Sequence, residues 1–315
     1  MRTVSEPDAA ALAAASAVVR RHLAPTPVVA APRLGPDVQL KLESLQPTGS
    51  FKVRGGLAAV AAARAAGWTH LIAASAGNHG LGLAYAAGRL GAEATVVVPE
   101  TASAAKVAAL QGYPVNLVRH GAGYDEAEAH ALALAERTGG RFVSPYNDPD
   151  VIAGQASLAE ELADQVPGFG TVVVPVGGGG LVAGVCLATA GTGVRVVGVE
   201  PAASPSMAAA VAAGRPVPIT VGPTIADGLA GNLEAGAVTV TICRRAAVEL
   251  LSVDEDEIRS AVAWLADEHG LVAEGAGAVA VAAVRAGRLA ADGPTAVVVS
   301  GRNIARPLLA SILGA

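Results

Sequence analysis

The chain has 315 residues, a mass of 30.9 kDa and a formal net charge of −5, with 52% hydrophobic and 16% charged residues. This length and apolar fraction predict about two domains with a large core and argue against a disordered chain. The mild acidity and the low aromatic content of 3% argue against nucleic-acid binding, which needs cationic and stacking surfaces.

Cysteine usage and charge placement predict a cytoplasmic protein. Cys186 and Cys243 are too few for a disulfide scaffold or a cysteine-rich metal site, which favours a reducing compartment. Residues 171–194 are uncharged over a bilayer-spanning length, but a proline and four consecutive glycines interrupt them, so no membrane helix is expected. Glu6 and Asp8 stand where a signal peptide has basic residues.

Short β-branched runs alternate with Ala- and Leu-rich helical runs from about residue 66 onward. In chain order the predicted elements are strand 69–75, helix 78–90, strand 94–100, helix 102–111, strand 114–120, helix 123–138, strand 141–143, helix 152–164, strand 171–176, helix 181–190, strand 194–199 and strand 297–299. This alternation predicts parallel sheets covered by helices. Ser252 and Glu255 predict a capping box for a further helix that ends at Gly270.

Lysine is scarce in this chain and occurs only at positions 41, 52 and 106, among 22 basic residues. Lys52 lies in the polar segment 41–56 (KLESLQPTGSFKVRGG), just inside a helix start predicted from the turn at residues 48–50. Exposed N–H groups and the helix dipole disfavour an ammonium there, and an amine with a lowered pKa is a usable nucleophile. A solvated lysine behind a simple N-cap is an equally good interpretation of this segment alone.

A second polar segment, SAGNHG (75–80), stands between a predicted strand and a predicted helix. Its N–H groups can hold a carboxylate, and the Asn78 amide and the Ser75 hydroxyl can hydrogen-bond a ligand. Taken alone, an asparagine N-cap followed by a packed His79 is the better explanation. A general-base role for His79 remains open.

Four glycines at 177–180, here called the glycine quartet, follow an apolar strand and open a helix at Leu181. Consecutive residues without Cβ let backbone N–H groups wrap an anion, and four in a row cost enough conformational entropy to favour a ligand over a simple turn. A dinucleotide site is the alternative, because Gly178, Gly180 and Ala183 fit G-x-G-x-x-A and Glu200 ends the following strand. That NAD(P)-dependent oxidoreductase hypothesis gives no role to Lys52.

Six motifs in this order resemble the fold-type II pyridoxal-phosphate enzymes, within them the threonine/serine dehydratase and serine racemase branch. The motifs are TGSFK-x-RG, SAGNHG, GGGGL, ADG (226–228), EGAGA (274–278) and SGRN (300–303). The resemblance, which runs from about residue 10 to 305, implies two open, twisted, mostly parallel α/β domains with the active site in the cleft. We expect a small domain over 66–146, a large domain over 1–65 plus 147–315, and a homodimer.

The resemblance also implies roles for individual residues. Lys52 would form the Schiff base with pyridoxal 5'-phosphate and serve with Ser75 in catalysis. The residues implied to bind the cofactor are Phe51, Lys52, Asn78, Gly177, Gly178, Gly179, Gly180, Leu181 and Ser300. Those implied to bind the substrate are Ser75, Gly77, Asn78 and His79.

The implied reaction is α,β-elimination, the dehydration and deamination of a β-hydroxy amino acid such as threonine or serine to a 2-oxo acid and ammonia. A β-replacement or threonine synthase-like enzyme of the same fold is the alternative. Ala76 replaces a serine that racemases carry, so racemisation should be weak or absent, and Ser206 replaces an acidic metal ligand, so no metal is expected. Arg302 replaces a common glycine and is either a contact for an anionic or bulky substrate group or a surface or domain-interface arginine.

Overall fold

The computed structural model describes residues 4–289 and 293–314. Its strands are β1 (Val28–Ala30), β2 (Val38–Lys41), β3 (His70–Ala74), β4 (Glu93–Val98), β5 (Asn116–Arg119), β6 (Arg141–Phe142), β7 (Thr171–Pro175), β8 (Arg195–Pro201), β9 (Glu249–Val253) and β10 (Thr295–Val298). Its helices are α1 (Ala9–His22), α2 (Lys52–Ala65), α3 (Asn78–Leu90), α4 (Ala104–Gln111), α5 (Tyr124–Thr138), α6 (Pro149–Gln165), α7 (Gly180–Ala188), α8 (Ser206–Ala213), α9 (Val238–Arg245), α10 (Glu255–His269), α11 (Gly275–Arg285) and α12 (Arg306–Leu313). Short 3-10 turns occupy Glu43–Leu45 and Asp227–Leu229.

The strands form two sheets. The larger has the order β1-β2-β10-β7-β8-β9, in which only the β1–β2 pair is antiparallel. The smaller has the order β5-β4-β3-β6 and is parallel throughout. This arrangement confirms the predicted α/β class with mostly parallel sheets.

Helices cover both faces of the larger sheet, which is why its central strands are continuous apolar runs. Every residue of β7 and β10 is buried. One face packs against α10, α11 and α12, and the other packs against α6, α7, α8 and α9. Alanine and glycine fill much of α11, and these small side chains let the helix lie close to the strands.

Helix α2 connects the two sheets. It packs against α3 and α6, and its buried Val53 and Leu57 share one hydrophobic cluster with Leu71 of β3 and Val151 of α6. The residue that begins this helix, Lys52, is therefore held between the elements of both sheets.

The elements predicted between residues 69 and 199 are confirmed, with ends that differ by at most about three residues. The predicted capping box is wrong in register: Ser252 lies in β9, and the box consists of Asp254 and Glu257. The described part of the chain contains no helix both long and apolar enough to cross a membrane. Cys186 of helix α7 and Cys243 of helix α9 are buried free cysteines.

Candidate active site

The carboxyl ends of neighbouring strands in the larger sheet bring two predicted site segments together. The glycine quartet follows β7, and Ser300 follows β10, the strand beside β7. The backbone N–H of Phe51 donates to the Ser300 carbonyl oxygen at 3.1 Å, which fixes the start of α2 against this edge. Lys52 thus begins its helix next to Ser300, at the edge where open α/β sheets bind ligands.

Lys52 is the predicted nucleophile, and no carboxylate among the described residues pairs with its ammonium. Its Nζ donates to the Pro145 carbonyl oxygen at 2.8 Å and lies 5.2 Å from the Phe51 ring centroid. Burial lowers the pKa of Lys52 to about 8. The other two lysines, Lys41 and Lys106, are both paired with carboxylates. A lowered pKa was predicted from the helix dipole, but removal from water is the cause in the structure.

The glycine quartet can be built only from residues without side chains. A Cβ on Gly178 would overlap the Tyr146 ring, a Cβ on Gly177 would lie 2.9 Å from the Leu229 Cα, and Gly179 has a φ of 87°. Within residues 4–289 and 293–314, the N–H groups of Gly177, Gly178 and Gly179 have no hydrogen-bond acceptor. These N–H groups can donate to an anion, and anion binding by the quartet stays a prediction.

The segment after β3 places the predicted substrate residues at the start of α3. Gly77, not Asn78, is the N-cap of this helix, and its N–H donates to the Ser75 Oγ at 3.1 Å. The His79 ring is buried, and its Nε2 lies 2.9 Å from the Val143 carbonyl oxygen. Burial, with the charge of nearby Lys52, lowers the pKa of His79 to about 3, so this ring is neutral near pH 7.

Asn78 is hydrogen-bonded at both ends of its amide by residues that flank the larger sheet, Glu274 at the start of α11 and Asn303 in the loop after β10. Its Nδ2 donates to Glu274 Oε1 at 2.6 Å, and its Oδ1 accepts from Asn303 Nδ2 at 2.6 Å. Asn303 Nδ2 also donates to the Thr48 carbonyl oxygen at 2.9 Å. Burial raises the pKa of Glu274 to about 7. Individual roles for Glu274 and Asn303 were not predicted, although both lie in motifs, EGAGA and SGRN, that carried the resemblance.

Arg302 contacts the loop that precedes the Lys52 helix. Its guanidinium donates to the Ser44 carbonyl oxygen, and its backbone N–H donates to the Gly49 carbonyl oxygen at 2.9 Å. These contacts support the interpretation of Arg302 as a structural residue over that of a substrate contact.

Glu200 serves the fold in the structure. Its buried carboxylate accepts the backbone N–H groups of Met207 at 2.7 Å and Ala208 at 2.9 Å, in the first turn of α8. The acid of the dinucleotide alternative is thus occupied by a helix start. Among the residues described, no three or more His, Cys, Asp or Glu side chains are grouped so as to hold a metal ion.

Comparisons with known proteins identify the family of this chain. Residues 19–301 match the family of pyridoxal-phosphate dependent enzymes. The L-threonine ammonia-lyase of Thermotoga maritima is 41% identical over 277 residues, which cover 86% of this chain and 68% of that protein. Among solved structures, a threonine deaminase from T.th. is 36% identical with a TM-score of 0.86, covering 95% of this chain and 99% of the other. Maize serine racemase is 28% identical with a TM-score of 0.90, covering 98% and 97%. This chain therefore belongs to the family of pyridoxal-phosphate dependent enzymes.

Proposed function

We propose that this enzyme is an ammonia-lyase that converts a β-hydroxy amino acid, threonine or serine, into a 2-oxo acid and ammonia. The observation that carries the proposal is Lys52, a half-buried residue whose desolvated amine has a pKa of about 8 and no carboxylate partner in the described residues, together with the free N–H groups of the glycine quartet. The relatives named above that act on threonine supply the substrate class.

The residues of the site fit pyridoxal 5'-phosphate. The free N–H groups of the glycine quartet and the start of α7 would hold the phosphate, with Leu181 in the first turn of that helix. Lys52 Nζ would bond the aldehyde carbon, and Phe51 packs beside it. The buried Ser300 would face the pyridine nitrogen, and Asn78 would donate to the phenolic oxygen.

The remaining polar groups of the site would bind the substrate carboxylate and accept the Cα proton. The N–H groups at the start of α3, with Ser75 Oγ and Gly77, would bind the substrate carboxylate. Once released from the cofactor, the neutral Lys52 Nζ would accept the Cα proton, which its lowered pKa permits near pH 8. The bound cofactor supplies the electron sink for the carbon that loses this proton. The proton lost from Cα balances the proton that the β-hydroxyl needs to leave as water, and water added at Cα would release ammonia, so no oxidant or reductant is consumed.

His79 takes no part in the proton transfers of this proposal. With a pKa of about 3 its ring is a weak base, and its Nε2 already contacts the Val143 carbonyl oxygen, so the general-base role is not part of the proposal. We propose that His79, the second residue of α3, lines the substrate pocket.

The test is an oxo-acid assay on the purified enzyme across serine, threonine, hydroxyaspartate and aryl-serines, with a Lys52→Ala variant as the control. The proposal requires oxo acid and equimolar ammonia from at least one of these substrates, and none with the variant. Borohydride reduction followed by mass spectrometry should place the cofactor on Lys52. Product that appears only with an added nucleophile would indicate β-replacement instead, and turnover that requires a nicotinamide cofactor would overturn the proposal.

Three further features belong to this proposal. We assign residues 66–146 to a small domain around the four-stranded sheet, and residues 1–65 plus 147–315 to a large domain. We also propose a homodimer, which sedimentation would test, and a cytoplasmic location, which fractionation would test. Neither nucleic acid nor membrane is proposed as a partner.

A further inference from the structure

One chain of hydrogen bonds joins four of the sequence motifs. It runs from the Glu274 carboxylate to the Asn78 amide, on to the Asn303 amide, and ends at the Thr48 carbonyl oxygen. These contacts join residues 196 and 225 positions apart in sequence. Asn78 begins a helix of the smaller sheet, whereas Glu274 and Asn303 flank the larger sheet, so the chain spans both.

The chemistry of these groups permits one orientation of the Asn78 amide. An ionised carboxylate only accepts hydrogen bonds, so Nδ2 must face Glu274, and Oδ1 must then face the Asn303 amide. Asn303 must turn its own Nδ2 towards both Asn78 and the Thr48 carbonyl, which also only accepts. A flipped Asn78 would set its oxygen against the carboxylate and its nitrogen against a second donor. One of the two N–H groups of Asn78 Nδ2 takes no part in these hydrogen bonds.

Two glycines make room for these contacts. A Cβ on Gly301 would overlap the Glu274 carboxylate, and a Cβ on Gly49 would overlap the Asn303 amide oxygen. Gly49 also has a φ of 78°, a backbone conformation that few other residues adopt. The TGSFK and SGRN motifs therefore place glycine where a side chain would displace the groups that hold Asn78.

We infer that Glu274 and Asn303 are positioning residues that fix the Asn78 amide with one N–H free for the cofactor's phenolic oxygen. This inference rests on the proposed cofactor site. Glu274 is only 7% exposed, and the charges that shift its pKa are those of Asp227 and Lys106, which form their own ion pair at 3.0 Å. At pH 8 the Glu274 carboxyl, with its pKa of about 7, is mostly ionised and therefore a pure acceptor.

The Lys106–Asp227 pair provides a matched control for the inference. It also connects the smaller sheet's α4 with the segment at 227–229, but both side chains are largely exposed and neither touches Asn78. Lys106→Ala therefore removes a contact between the same two parts of the molecule without touching the Asn78 amide. Because the Lys106 charge also lowers the pKa of Glu274, the comparison is made at pH 9, where the Glu274 carboxyl stays ionised when that charge is removed. An effect of orientation can then be separated from an effect of loosened packing.

The experiment uses the whole chain at pH 9 with two readouts besides turnover. The first is hydrogen exchange of residues 75–82 in the cofactor-free protein, and the second is the affinity for pyridoxal phosphate from the growth of its absorption band. The variants are Glu274→Ala, Glu274→Gln, Asn303→Asp and the Lys106→Ala control. Losing one hydrogen bond to a charged group, or setting two acceptors against each other, should weaken cofactor affinity about tenfold in Glu274→Ala and Asn303→Asp.

Glu274→Gln keeps an acceptor of the same shape and should stay within about threefold of the parent protein. Lys106→Ala should leave both readouts unchanged. The inference is overturned if Glu274→Ala and Asn303→Asp match the parent protein, if Glu274→Gln is as weak as Glu274→Ala, or if Lys106→Ala causes the same loss. If Glu274→Ala does not fold, the isosteric pair Glu274→Gln and Asn303→Asp decides. Failure of every amino acid in the turnover assay would defeat the proposed function but leave these two readouts intact.

Discussion

Replacing Arg54 with methionine should destabilise the protein strongly, because Arg54 neutralises a buried cluster of charges behind the Lys52 helix. Its Nε and Nη2 donate to the two oxygens of Glu43 at 2.7 and 2.8 Å, and its Nη1 donates to Ser157 Oγ at 3.1 Å. Nη2 also contacts Glu161, which Lys41 Nζ reaches at 3.2 Å. Two cations thus balance two carboxylates, and three of the four side chains are at most 1% exposed.

The substitution leaves Glu43 as a buried carboxylate whose remaining hydrogen-bond donors are neutral, Thr26 Oγ1 at 2.6 Å and Gln46 Nε2 at 3.2 Å. Breaking a buried ion pair from one side costs about 3–5 kcal/mol, because the remaining charge stays unpaired. Methionine fills most of the vacated space, so the loss measures charge more than cavity. Adding Glu43→Gln to Arg54→Met should recover part of the stability, because it removes the stranded charge.

The loss should depend on pH. In the parent protein burial acts to raise the pKa of Glu43, but the charge and hydrogen bonds of Arg54 outweigh it and hold that pKa below its ordinary value. In Arg54→Met burial is opposed only by the weaker effects of Thr26 and Lys41, so the pKa should rise above that of the unfolded chain. A raised Glu43 pKa means that the ionised carboxylate destabilises the folded variant at high pH. This loss of stability disappears as the pH falls through the raised pKa and the carboxyl becomes protonated. The difference in the free energy of unfolding between the parent protein and Arg54→Met should therefore become smaller as the pH falls from 8 to 5.

Urea unfolding followed by circular dichroism measures this effect. The control is Arg195→Ala, which breaks the largely exposed pair with Glu249 and should cost about 0–1 kcal/mol. A loss below about 1 kcal/mol in Arg54→Met, or a loss equal at pH 5 and pH 8, would refute the charge-balance argument.

Three further predictions concern the active site. Because burial lowers the Lys52 pKa to about 8, the cofactor-free protein should bind pyridoxal phosphate faster as the pH rises through 8. Stopped-flow absorbance measures this rate, and a rate that does not change between about pH 6.5 and 9.5 would contradict the prediction. Gly178→Ala should weaken cofactor affinity at least tenfold because its Cβ overlaps the Tyr146 ring, whereas Gly170→Ala, with open space around it, should match the parent protein in the same titration. Ala76→Ser should raise the ratio of racemisation to elimination, measured by chiral chromatography of recovered substrate, and an unchanged ratio would count against a role for this position.

The alternating strands and helices of this chain could be predicted because each is a local pattern. The apolar runs of β3, β4 and β7 and the intervening helices need no knowledge of distant residues. Helix ends are harder to place, as α10 shows. Both Ser252 with Glu255 and Asp254 with Glu257 satisfy the capping-box spacing, and only the pairing of β9 with β8 decides that Ser252 and Val253 belong to a strand.

The site was predicted less completely, because its polar contacts join segments far apart in sequence. Motif order pointed to Lys52, Asn78 and the glycine quartet, each of which is recognisable within a few residues. Nothing local distinguishes Glu274, which follows an ordinary loop and precedes an alanine-rich helix, from a surface acid. Only the packing of α11 beside β10 brings it to Asn78.

The three lysines show why burial by itself does not make a reactive amine. The Lys41 side chain is fully buried, and burial lowers its pKa, but Glu161 and Glu43 oppose that shift, and its donors are spent on Glu161, Gln165 and the Thr26 carbonyl. Lys106 is exposed to solvent and forms an ion pair with Asp227. At Lys52 burial meets no opposing carboxylate, so the neutral amine is accessible near physiological pH. A carboxylate placed beside Lys52 would hold its proton and suppress the nucleophile, which is why the neighbouring acceptor in this fold is the uncharged Pro145 carbonyl.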